Sequence, residues 1–196
     1  MTLPEAFSVY FETQVRRVLT QLDRDPNSST YGCFDRNYWH YKIRDFPSSI
    51  LQQGVFVLEH LRRHGTQDSV INPSLAEEWT LAAINALSRQ VGRKGDVSEY
   101  FPHEDSYPAS AFGLYAIVRI LSDWRAQEVS AIDRVEWNGL SRLVKHLVAR
   151  VESQASNQYA AAVAALALAT EFPELEISKS EVSGHADRLF SLQHSE

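Results

Sequence analysis

Apolar positions recur at helical spacing along nearly the whole chain, and almost nowhere do they alternate as a strand would. Phe7, Phe11, Val15, Val18 and Leu22 share one face, with Glu12, Arg16 and Arg17 on the other and Pro4 at the start. They predict a first helix, which Asp25-Pro26-Asn27-Ser28-Ser29 ends with turn chemistry. A second helix is predicted from Pro47 to Arg63, before Gly65. Pro73 opens a third, with Leu75, Trp79, Ala82 and Ala86 on one face, and Gly92 to Gly95 closes it. A fourth spans Pro108 to Trp124, a fifth Ser130 to Glu152, and a sixth Gln158 to Phe172, where Pro173 breaks it. A last helix is predicted from Lys179 to Leu192.

The distribution of polarity among these helices predicts their arrangement. The first, third and fifth are amphipathic, as expected of helices with one face in water. The fourth and sixth are apolar or small all round over Ala109 to Val118 and Tyr159 to Ala169, the pattern of a helix buried on every side. The second is intermediate. Small residues (Ser48, Ser49, Gly54; Ala109, Ser110, Gly113; Ala160, Ala161, Ala164) permit close approach between helices. Odd helices outside and even helices inside describe a ring of helical hairpins: an all-α, incomplete (α/α) toroid of about three and a half hairpins, with residues 1–196 forming one domain.

Three polar and aromatic loops recur in that scheme. Tyr31 to Asp45 leads through Phe46-Pro47 into the second helix, Glu99 to Ser106 leads through Tyr107-Pro108 into the fourth, and Ser153 to Asn157 leads into the sixth. Each joins an outer helix to an inner one, so all three are expected at one end of the ring. The connections at the other end, His64 to Asn72 and Arg125 to Val129, carry no comparable group.

Composition narrows the function. A chain of 196 residues, 44% hydrophobic and 22% charged, can bury a substantial core. Its net charge of -6 argues against nucleic acid as a partner. Cys33 is the single cysteine, so no intrachain disulfide forms. The N-terminus resembles no secretion signal, and the longest apolar run, Tyr159 to Ala169, is far short of the roughly 20 residues of a membrane helix. A soluble, cytoplasmic protein is expected, with no membrane partner. No glycine-rich phosphate loop or nucleophile elbow is present, so no cofactor is predicted. Glu59-His60 to His64 lacks the glutamate that directly follows the first histidine in zinc peptidases, so no metal is predicted either.

With Asp105-Ser106-Tyr107 leading into one inner helix and Asn157-Gln158 into another, the chain resembles the helical domain of the heparinase II/III-like and alginate-lyase-like polysaccharide lyases, within the six-hairpin glycosidase superfamily. The glycine usual between Asp and Ser in that family is absent here, and the Asn-bearing motif follows the tyrosine motif instead of preceding it. The resemblance implies a toroid in which an Asn or Gln neutralises a substrate carboxylate while Tyr or His moves a proton. A complete ring of that family needs about twice this length. The chain therefore reads as the N-terminal part of a longer toroid or a shortened one.

β-Elimination on a uronic acid needs a neutralised carboxylate, a base for the C5 proton and an acid for the leaving oxygen. The candidate catalytic residues are His40, His103, Tyr107 and Asn157. The candidate substrate-binding residues are Arg36, Tyr38, Trp39, Lys42, Arg44, Glu104, Asp105 and Gln158. Arg36, Lys42 and Arg44 suit an anionic sugar, and Tyr38 and Trp39 can stack on its rings. The competing structural role has Asp45 and Asp105 as helix N-caps and the aromatics buried against Pro47 and Pro108. One alternative is a glycoside hydrolase pairing carboxylates from Asp35, Asp45, Glu104 and Asp105. The other is a non-catalytic helical module whose open apolar edge is covered by a homodimer partner or a second domain.

Overall fold

The computed structural model describes residues 14–66 and 71–192. Every regular element in them is helical, as the apolar spacing predicts. Residues 14–19 form α1, and the beginning of the first predicted helix lies outside the described residues. It is followed by α2 (Arg36–Trp39), α3 (Val55–His64), α4 (Pro73–Gln90), α5 (Tyr107–Ala126), α6 (Trp137–Val148), α7 (Ser156–Ala169) and α8 (Lys179–Ser191). The predicted second helix is in fact a 3-10 turn, Ser49–Gly54, running into α3. The fifth is likewise split, a 3-10 turn over Ser130–Arg134 preceding α6.

Helices α3, α5 and α7 lie side by side, and α4 and α6 pack behind them, with α8 against α7. The three run in the same direction. Near their starts, Ser49 N donates to Ser98 O at 2.9 Å and Arg150 reaches Asp105. At their far ends Arg63 on α3 donates to Asp123 on α5 (2.8 Å), and Ser122 on α5 donates to Glu171 just beyond α7 (2.7 Å). The three long loops therefore gather at one end.

Helix α5 is the core. Leu114, Ile117, Val118, Ile120, Leu121 and Trp124 are buried, but the helix is not enclosed on every side as its apolar pattern predicts, since Phe112 and Tyr115 are half-buried and Arg119, one turn on, is exposed. Two other helices differ from expectation. Helix α4, predicted half in water, buries Ala76, Trp79, Leu81, Ala83, Ile84 and Leu87, because it is clamped between α3 and α6, while Leu75 is exposed. Helix α7, predicted buried on every side, leaves Ala164 and Ala167 exposed, since among the described residues its neighbours α5, α6 and α8 do not encircle it. An apolar pattern permits burial but does not supply the neighbour.

The first long loop is fixed from below by Gln52. Its amide nitrogen donates to Gly32 O (2.7 Å) and Ala83 O (2.9 Å), and its oxygen accepts from Phe34 N (3.1 Å). Gly32 has φ 89°, and a Cβ there would stand 2.0 Å from the Ala82 carbonyl oxygen, so only glycine lets the loop lie on α4.

At the opposite end the helices supply a buried polar group. Glu59 is buried and accepts from Arg62 Nε (2.8 Å), Arg63 Nε (2.8 Å) and the Trp124 indole (2.8 Å). Burial opposes its ionisation, but these hydrogen bonds outweigh burial and hold the carboxyl below its ordinary 4.5. Glu59→Ala strands the buried Trp124 indole and leaves Arg62 and Arg63 only their outer partners Gln127 and Asp123, and should cost about 3 kcal/mol by urea unfolding. Breaking the exposed Arg134–Glu78 pair should cost under about 1 kcal/mol. Because the native pKa is depressed, the contribution of Glu59 is full above pH 4.5 and is lost as pH falls through the folded value. Wild-type melting should therefore fall more steeply in acid than that of Glu59→Ala.

Candidate functional site

At the loop end the backbone is strained before it enters α5. His103 (φ 58°) and Asp105 (φ 57°) both adopt the left-handed region, which disfavours side chains other than glycine. Between them, Glu104 Oε2 accepts from three successive amides, Glu99 N (3.0 Å), Tyr100 N (2.6 Å) and Phe101 N (3.0 Å). Burial raises its pKa, but the three N–H groups and nearby Arg44 more than reverse this. The cap of α5 is Ser106, whose Oγ accepts from Ala109 N (3.2 Å) and donates to buried Glu99 Oε2 (2.5 Å). Asp105 is therefore not the cap; its side chain turns away toward α6. Asp45 is exposed and caps nothing, and the capping aspartate of the first loop is Asp35, which accepts from Asn37 N at 3.1 Å.

Asp105 Oδ1 lies 2.7 Å from His146 Nε2 and 2.6 Å from Arg150 Nη1, and those two nitrogens are 3.1 Å apart. The Arg150 guanidinium covers the Tyr107 ring, 5.2 Å from its centroid. Tyr107 is only 4% exposed, and its hydroxyl is buried without a hydrogen-bond partner. Burial pushes its pKa up to about 12, with Tyr159 and Glu152 adding and Arg150 opposing. Tyr107 thus faces the start of α7, where Asn157 is exposed and Gln158 half-buried. Tyr159 itself is satisfied, its hydroxyl 2.9 Å from His185 Nδ1. The chain matches no protein-family model, no curated protein and no solved structure.

The remaining predicted residues cluster around α2. Trp39 donates its indole N–H to Gln21 O (2.7 Å), which ties the loop to the chain after α1. Tyr38 lines a cleft of about 300 Å³ with Cys33, Arg89 and Gln90, and Lys42 stands over its ring at 5.8 Å. Arg36 stands over Tyr41 at 5.1 Å, and the exposed His40 meets Trp39 and Tyr41 edge-on. Arg44 donates to Asp35 (3.3 Å) and acts on Glu104 across the loops. His103 is exposed, its amide held by Ser98 Oγ at 3.1 Å. Thus Asp105, Tyr107 and the start of α7 come together, Arg44 links the first loop to Glu104, and the α2 group is held against the ends of α1 and α4. In the cleft, burial pushes the Cys33 thiol up to about 11, away from reactivity.

His146 and Arg150 were not among the predicted site residues. Their four-residue spacing places them on one helix face, which the sequence does display. What it does not display is that this face meets Asp105.

A buried hydroxyl without a partner is a cost that the fold does not need. Tyr107→Phe should leave the melting temperature unchanged or raise it, by up to about 1 kcal/mol in stability. The alkaline limb gives a second check. A tyrosine pKa raised from 10.0 to about 12 contributes stability that is intact below pH 10 and is lost as pH climbs toward 12. The wild type should therefore lose roughly 2 kcal/mol more than Tyr107→Phe across that interval.

Proposed function

We propose that the chain is an incomplete (α/α) toroid that binds an acidic, uronate-containing polysaccharide at its loop end and cleaves it by β-elimination. Three parallel helices, each begun by a long loop at the same end and separated by returning helices, support the toroid. The observation that carries the chemistry is the Tyr107 hydroxyl, kept protonated and unpartnered beside Arg150, Asp105 and His146. Tyr107 carries its proton at neutral pH, and loss of its burial on substrate binding would lower the raised pKa and make it a better acid. In this reading exposed His103 removes the C5 proton, the C4–O4 bond breaks as the C4=C5 bond forms, and Tyr107 gives its proton to O4. Arg150 and the amides of Asn157 or Gln158 neutralise the carboxylate.

The hydrolase alternative draws less support. Asp35 is buried and committed to Asn37, Arg44 and Ser48, Glu104 to three backbone amides, and Asp105 to His146 and Arg150. A general acid needs a raised carboxyl pKa, and that of Glu104 is lowered. The exposed Ala164 and Ala167 on α7 favour one addition: a second copy or a further domain covers that face.

Incubation with polyglucuronate, polygalacturonate and polymannuronate should give the ultraviolet absorbance of an unsaturated product with at least one of them. Tyr107→Phe should lower that rate by a factor of about 10² to 10⁴ while keeping glycan binding. No absorbance with any polymer, or equal rates for the two proteins, would contradict the elimination.

A further inference from the structure

We infer that Arg150 is a clasp over Tyr107 that a substrate carboxylate opens, an inference that rests on the elimination reading above. As the chain stands, Tyr107 is too buried to reach a sugar, and the Arg150 guanidinium lies across its ring. The pieces around it fit a closed position that an anion can release. Among the described residues, Arg150 donates through Nη1, to Asp105 Oδ1 and the Asp105 carbonyl, and His146 Nε2, 3.1 Å from Nη1, shares the same Asp105 oxygen. Its Nε and Nη2 edge is left for a carboxylate, which guanidinium binds in a two-bond fork.

Release is cheap on both sides. The Arg150 and Asp105 side chains are 34% and 41% exposed, and ion pairs of that kind are readily exchanged for another partner. Asp105 is not stranded when Arg150 leaves, since His146 Nε2 remains 2.7 Å from the same oxygen. The left-handed backbone of Asp105 and the amides gathered on Glu104 fix that carboxylate in place, so the moving part is the arginine. The other charged or titratable groups facing Tyr107 are Glu152 and Tyr159, and Glu152 Oε1 is occupied by Gln154 N and Ala155 N. Opening also gives the unpartnered hydroxyl the leaving oxygen as a partner.

Two variants and two readouts test this. Nitration by tetranitromethane is followed at Tyr107 relative to Tyr100, which is 66% exposed and lies on the same tryptic peptide, residues 95–119. Glucuronate binding is measured by calorimetry. Asp105→Asn tolerates the left-handed backbone but removes the charge that holds Arg150. It should raise the Tyr107 to Tyr100 nitration ratio on the order of tenfold and tighten glucuronate binding. Arg150→Gln should raise the ratio similarly and abolish glucuronate binding. If Tyr107 stays as protected in Asp105→Asn as in the wild type, or if that variant binds glucuronate more weakly, the clasp is overturned and the pair is structural. Nitration is read without turnover, so this result stands apart from the polymer assay that decides the elimination.

Discussion

The structure depends on α5, which packs against α3, α6 and α7, and the buried part of such a helix cannot leave polar groups without partners. Ser106 shares its hydroxyl between Glu99 and Ala109 N, Ser110 donates to Ser106 O, and the Trp124 indole finds Glu59. These contacts fasten α5 at both ends. The one side-chain atom of the helix that escapes the rule is the Tyr107 hydroxyl. It lies at the end where the three long loops meet.

The two ends of the molecule use charge differently. Around Glu59 two arginines and an indole converge on one enclosed carboxylate, so the arrangement resists change. Around Asp105 the arginine and histidine share a half-exposed carboxylate, and either can hold it without the other. The first kind of network locks packing, and the second permits exchange with a ligand of the same charge.

The helices were legible because their period is local: Ala109 to Val118 names an apolar helix without reference to anything else. So was the gathering of the loops, which follows from each joining two successive helices. The surroundings of a helix were not legible. Ala164 and Ala167 read as core although they are exposed among the described residues, and α4 reads as a surface helix until α3 and α6 close on it. The cap positions expected for Asp45 and Asp105 are held by Ser48 and Ser106, because a cap is decided by which residue sits at the last extended position before the helix. The pairing of Asp105 with His146 and Arg150 is a contact between residues about forty apart, and no local pattern carries it.

The central claim is that three loops distant in sequence make one glycan site. Hydrogen–deuterium exchange with and without a hexameric uronate oligosaccharide tests it most directly. The account predicts slower exchange at residues 31–48, 98–106 and 150–158 together, with no change at residues 59–64 and 123–128. Protection at one loop alone, at the far end, or nowhere would contradict it.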